Sequence, residues 1–401
     1  MKLITSLALT IILCSQILHA DIFQSVLKDA AKNSGYLPSH EINPEFDNDL
    51  AAIGKLFFES EKLSYNSSIA CKNCHLSEFS STDGLPNAIG VGGHGVGLKR
   101  VESGGLIVPR NVLPLWGRGT DFFDKFFWDG KVEKTDDGVF SQFYQYQPSD
   151  NPLIVASLLP IVEIREMVLD DYDVNKRFKK EQVEVALEFY QEIFGKIQDE
   201  QMMRDLAEYF KINTSEIKLQ HVGSAIAEHI KKEFKLEKTK FELFMNEEDE
   251  LSSSELKGGL LFYGKGKCIV CHNGPLFSDL KYHTIVFPQT GFGKNGFGVD
   301  YGRFNVSRRY NDLYKFRTPP LIEVVNTAPY GHSGSTYSLR DAIAAHFDPL
   351  RFIDLNSMNA AERTEYFRSM QLSRNSIQIP YLDEKEIENI EAFLKTLSFL
   401  Q

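Results

Sequence analysis

Cys71-Lys72-Asn73-Cys74-His75 and Cys268-Ile269-Val270-Cys271-His272 are two copies of one pattern, Cys-x-x-Cys-His. Two thiols at this spacing can add to the two vinyl groups of one haem, and the adjoining imidazole can bind its iron. On a helical turn, positions i, i+3 and i+4 share a face, so all three groups can meet one macrocycle. The pattern predicts two covalently bound c-type haems, one on Cys71, Cys74 and His75, the other on Cys268, Cys271 and His272. Two Cys pairs could instead combine into one zinc site, and a single pair could be a redox dithiol or a disulfide. The histidine after each pair, and the absence of any other cysteine beyond Cys14, favour haem.

Residues 1–20 read as a secretory signal. Lys2 supplies the positive start, Leu7 to Leu13 a mostly apolar core, and Ala20 a small residue before a cut ahead of Asp21. Cys14 leaves with it. Covalent haem attachment of this kind takes place outside the bacterial inner membrane, so the expected location is the periplasm. No later apolar run is long enough to span a bilayer, so the mature chain is expected to have no membrane span. A formal charge of −11 argues against nucleic acid as a partner and suits a donor of complementary charge.

The elements that must hold these groups are mainly helical. Strand signals are few. Ile53 to Phe58 reads as a helix end ahead of the first haem motif. Val183, Leu187, Tyr190, Phe194 and Ile197 recur at helical spacing. Ser252-x-x-Glu255 and Asp383-x-x-Glu386 are capping boxes that open helices, and Arg351 to Pro380 carries no clear signal. Eight glycines between Gly84 and Gly105 predict a loop with special backbone angles or a close approach to a ligand. The chain length allows two domains. The expected fold is mainly α, with two cytochrome c-like haem domains and a helical connecting segment. The signal occupies 1–20, the N-terminal haem domain 21–180, the connecting segment 181–250, and the C-terminal haem domain with its final helix 251–401.

Several further motifs carry a resemblance. They are Gly54-Lys55-Leu56-Phe57-Phe58, Asp83-Gly84-Leu85-Pro86, Arg110-Asn111, Phe127-Trp128-Asp129-Gly130-Lys131 and Arg165-Glu166-Met167. Lys315-Phe316-Arg317-Thr318-Pro319 and Thr327-Ala328-Pro329-Tyr330-Gly331-His332-Ser333-Gly334 follow near the second haem site. Across most of its length the sequence resembles the bacterial dihaem cytochrome c peroxidases and their relative MauG.

The resemblance implies a division of labour. The haem on His75 would react with hydrogen peroxide, and the haem on His272 would take electrons from a small cytochrome c or copper protein. Trp128 matches the family tryptophan between the haems. Glu166 matches the distal carboxylate that moves protons during peroxide cleavage; on residue type alone, Glu163 competes with it. Asn111, Thr327 and Pro329 match positions that hold one calcium ion, for which oxygen ligands are suited. Members are often dimeric, which makes a homodimer an admissible assembly.

Two departures from the family stand out. The loop position that carries a distal histidine in most members is Val91 here, with His94 three residues on as its competitor. The second iron ligand of the other haem, methionine in most members and tyrosine in MauG, falls on His346, ahead of Met358 and Tyr337. His283 and His332 are expected in hydrogen-bonding roles. The resemblance thus points to a peroxidase. The alternatives are a MauG-like enzyme that oxidises a protein residue and a non-enzymatic dihaem electron carrier.

Overall fold

The computed structural model describes residues 21–374 and 378–400, so the signal segment expected at 1–20 lies outside the described residues. The chain is helix-rich. Among the described residues the strands are confined to a three-stranded antiparallel sheet (Lys125–Phe126, Val132–Thr135, Gly138–Ser141) and a two-stranded one (Tyr282–His283 with Phe316–Arg317). Among the described residues no helix is long and apolar enough to cross a membrane.

A similar arrangement precedes each Cys-x-x-Cys-His. The Asn48–Glu59 helix is capped by Asp47, whose carboxylate accepts from the backbone N–H groups of Asp49 and Leu50. It packs against Leu219–Glu233 at Gly54, where an added Cβ would lie 1.8 Å from the carbonyl oxygen of Ala225. The Ser253–Tyr263 helix opens on the expected Ser252/Glu255 capping box. It packs against Glu384–Lys395 at Gly258, where a Cβ would lie 1.8 Å from the Asn389 carbonyl oxygen. The expected Asp383/Glu386 box caps that last helix. Only a residue without Cβ lets two backbones come so close, so these glycines set the spacing of both helix pairs.

The segment 181–250, expected as a connection, holds the helices Gln182–Ile197, Gln201–Phe210, Leu219–Glu233 and Lys240–Met245. Leu219–Glu233 is also a wall of the first haem cavity, through Ile226 and Ile230. Residues 21–33 form a helix that lies against the second half of the chain. Its Leu27 is fully buried against Gly259, and Ser34 accepts a hydrogen bond from the Gly274 N–H at 2.9 Å. The stretch 351–380, silent in sequence, contains the helix Ala360–Arg374.

The two halves meet along a polar seam. Arg110 donates to both carboxylate oxygens of Asp300 (2.7 and 2.9 Å) and to Asp129 (2.6 Å). The Asn111 N–H donates to the His332 carbonyl at 2.9 Å, and the Arg317 N–H to the Trp128 carbonyl at 2.8 Å. Removing one partner from a buried ion pair of this kind typically costs about 3–5 kcal/mol, so the seam fixes Trp128 firmly.

Candidate functional site

Each Cys-x-x-Cys-His faces its own cavity. The motifs lie in short 3₁₀ turns (Cys71–Asn73 and Cys268–Val270) rather than in longer helices. The tighter turn still brings both thiols and the imidazole to one cavity wall. Both cavities are partly open to solvent; with that open space included, the first spans ≈ 1390 Å³ and the second ≈ 1530 Å³.

The two histidines are held alike. His75 Nδ1 lies 2.8 Å from the Ser81 carbonyl oxygen and His272 Nδ1 lies 3.0 Å from that of Phe277. Donation from Nδ1 fixes the tautomer and leaves Nε2 as the metal-binding nitrogen. Burial pulls both imidazoles down to about 4, so they are neutral and able to ligate at neutral pH. Sequence alone did not reveal these orienting carbonyls, because they come from turns whose course only the fold defines.

Beyond these histidines the cavities differ. Four histidines line the second: His272, His283, His332 and His346. His283 Nε2 pairs with Asp279 at 2.8 Å. His332 Nε2 is bonded to Gln289 at 2.9 Å, and its ring stacks on Phe316. His346, at the C-terminal end of the Leu339–Ala345 helix, places Nδ1 2.8 Å from the Ala342 carbonyl, which leaves its Nε2 available. The His272 and His346 ring centres are 6.5 Å apart. Two metal–nitrogen bonds of about 2 Å, plus about 1.1 Å from each nitrogen to its ring centre, sum to about 6.2 Å. The pair therefore fits one metal between its rings. Met358 and Tyr337 are not among the residues lining this cavity, and Tyr337 is exposed.

His75 is the one histidine lining the first cavity. Val91 is fully buried, and His94 is exposed on its loop and does not line the cavity. The groups that do line it include Lys131, Glu163, Glu166 and Lys294. The glycine-rich loop frames Glu166. Gly90 abuts residues 165–166 so closely that a Cβ would lie 1.9 Å from the Arg165 carbonyl oxygen, and the Val91 N–H donates to the Glu166 carbonyl at 3.0 Å. Arg165 takes the left-handed backbone conformation (φ 73°). Such strain at a non-glycine residue is held in place by its surroundings and is frequent at functional sites. The Arg165 side chain turns away to pair with Asp170 at 2.7 Å.

Electrostatics separates the two glutamates. Glu163 is paired with Lys131 at 2.8 Å. Burial would raise its pKa, but Lys131 and Lys294 outweigh burial and hold it below the usual carboxylate range. Burial, reinforced by the charge of Glu163, pushes Glu166 up to about 7 against the opposing pull of Lys131 and Lys294. Glu166 is thus the carboxyl poised to gain and lose a proton near neutral pH.

Trp128 lines both cavities, as does Asn111. The indole is buried, its Nε1 donates to the Asn111 carbonyl at 2.9 Å, and its ring meets Phe316 edge-on. Asn111, Thr327 and Pro329 also line the second cavity. The Asn111 amide donates to the Pro329 carbonyl at 2.6 Å, and the Thr327 hydroxyl donates to the Val324 carbonyl at 3.0 Å. These donors are neutral. A calcium ion here would require the Asn111 amide to turn its oxygen inward in place of that hydrogen bond.

Lys294 is the lining residue that sequence reasoning missed. Its run, Gly291-Phe292-Gly293-Lys294-Asn295-Gly296-Phe297-Gly298, carries the same glycine density that marked the first loop.

The sequence model for di-haem cytochrome c peroxidases matches residues 48–250. Cytochrome-c peroxidase IdrP1 of Pseudomonas sp. (strain SCT) is 24% identical over 386 residues, covering 90% of this chain and 84% of the relative. Methylamine utilization protein MauG of Methylorubrum extorquens is 24% identical over 327 residues, covering 80% and 75%. Among solved structures, the diheme peroxidase BthA from Burkholderia thailandensis superposes with a TM-score of 0.63 at 18% identity, covering 91% of this chain and 89% of that one, a likeness of fold. The chain belongs to the di-haem cytochrome c peroxidase family and is a peroxidase of the two-haem, c-type class.

Proposed function

We propose that the protein reduces hydrogen peroxide to water in the periplasm, drawing electrons from a small cytochrome c or copper protein. The observation that carries this reading is the asymmetry of the two cavities. One presents a single imidazole with an ionisable carboxyl, and the other holds four, of which His272 and His346, 6.5 Å apart, keep Nε2 uncommitted. An electron carrier would need two protein ligands at both irons. A peroxidase needs one site open to substrate and one site that only relays.

Haem at His75 would supply the iron at which peroxide is reduced, and haem at His272 and His346 would supply the relay. Cys71 and Cys74, with Cys268 and Cys271, tether the two groups. Reduction of one peroxide to two waters consumes two electrons and two protons. Glu166 takes a proton from the near peroxide oxygen and returns it to the departing one. The Lys131–Glu163 pair holds a fixed charge beside it. Trp128 places a conjugated ring where the cavities adjoin, as a relay between two haem-binding units would require. A calcium ion on Asn111, Thr327 and Pro329 would brace the same seam.

A second reading, oxidation of a residue on another protein as in MauG, draws support from the absence, among the described residues, of a second histidine lining the His75 cavity. Rapid mixing with hydrogen peroxide tests both, on the fully oxidised and half-reduced holoenzyme and on Glu166→Gln. Turnover to water with a reduced donor, lost in Glu166→Gln, supports the peroxidase. Rapid reaction of the oxidised form with no donor-linked turnover would favour the second reading. Normal turnover in Glu166→Gln would remove that residue from the mechanism.

A further inference from the structure

We propose that Lys294, carried across the seam by a glycine-rich loop of the second half, is a positioning residue of the peroxide site that acts through Glu166. The inference rests on the peroxidase reading above and adds to it a contribution from the second half of the chain.

The loop is built to deliver this side chain. Thr290 N–H donates to the Ser333 hydroxyl at 3.0 Å on one side, and Asn295 N–H donates to the Val299 carbonyl at 2.9 Å on the other. Between them Gly293 has φ 67°, and a Cβ there would lie 2.2 Å from the Val299 carbonyl oxygen, so the turn into Lys294 demands glycine. The Arg165 guanidinium lies 5.0 Å over the Phe292 ring, which fastens the loop to the residue before Glu166.

The charges around the cavity leave Lys294 a specific role. Four cations, Arg110, Arg118, Lys131 and Lys294, stand against four carboxyls, Asp129, Asp300, Glu163 and Glu166; Arg118 donates to the backbone carbonyls of Leu113 and Pro114. Arg110 is committed to Asp300 and Asp129, and Lys131 to Glu163. The Lys294 ammonium lies 3.6 Å from Asp129, beyond hydrogen-bond reach, and that is its one ion pair among the described residues. Among the three cations that pair with acids its charge is therefore the least committed, and with Lys131 it acts on Glu166, lowering that carboxyl's proton affinity. Burial and Lys131 in turn hold the Lys294 ammonium below the usual lysine range. Without this cation one of the two positive charges that act on Glu166 is gone, and Glu166 stays protonated to higher pH.

The test uses the two-haem holoenzyme and its Lys294→Met, Lys294→Arg and Glu166→Gln variants. Two quantities are followed against pH: the rate constant for reaction with hydrogen peroxide, and the infrared carboxyl band of Glu166 in ¹³C-glutamate-labelled resting protein. Lys294→Met should move both titrations upward and lower the rate on the acid side several-fold, and Lys294→Arg should restore them. Unmoved titrations in a Lys294→Met protein holding both haems overturn the inference. Should that variant fail to load haem, Lys294→Gln carries the same comparison. The two readings fail separately. If Glu166→Gln reacts normally, the Glu166 assignment falls. If Glu166→Gln is slow while Lys294→Met titrates like the parent, only the role of Lys294 falls.

Discussion

The pH dependence of the peroxide reaction follows from the position of Glu166. Burial and the neighbouring Glu163 place its pKa at about 7. The ionised carboxylate is the form that accepts a proton from peroxide, so the rate must rise with pH. A group titrating near 7 is about 9% ionised at pH 6, half ionised at pH 7 and about 91% ionised at pH 8, a roughly tenfold span. An ordinary glutamate would already be about 98% ionised at pH 6, and the rate would change by only a few per cent. Stopped-flow absorbance under pseudo-first-order peroxide, from pH 5.5 to 8.5, separates the two cases. Glu166→Gln should lower the rate constant about 10²–10⁴-fold, the usual contribution of a positioned acid–base group, and abolish the acid limb. A flat profile in the parent protein, or the same limb surviving in Glu166→Gln, would refute the assignment.

Four further outcomes are expected. The reduced parent holoenzyme should bind one carbon monoxide per chain and His346→Ala two, counted by spectral titration, because the His272–His346 pair fits one iron between its rings; two in the parent would contradict the ligation. Gly54→Ala should destabilise by about 1–3 kcal/mol, since its Cβ would meet the Ala225 carbonyl at 1.8 Å. Gly195→Ala, on an exposed helix face with open space around it, should stabilise by up to about 1 kcal/mol, and thermal melting distinguishes the two signs. Treatment with a calcium chelator should lower the melting temperature and added calcium restore it; no change in either direction would remove the ion from Asn111, Thr327 and Pro329.

The two Cys-x-x-Cys-His patterns were legible because their chemistry is written in adjacent positions. Cys71, Cys74 and His75 must be close in sequence to reach one macrocycle, and the same holds for Cys268, Cys271 and His272. The capping boxes at Ser252 and Asp383 were equally plain, being local hydrogen-bond patterns. Glu166 and Glu163 could not be told apart by residue type. The difference is that Lys131 pairs with one and leaves the other in a low-dielectric pocket, a fact about three segments at once. The docking of the 21–33 helix on the far half was also hidden, because an amphipathic pattern does not name the surface it covers.

The sequence by itself determined the covalent chemistry, the helical character and the residues able to ligate iron, all consequences of side-chain type and short-range spacing. Tertiary structure decided which cavity holds one imidazole and which holds a facing pair, where the unpaired carboxyl lies, and that a lysine from the second half lines the first cavity. Those outcomes depend on charges and ring separations between residues far apart in the chain, and such long-range terms acquire values only when folding brings the groups together.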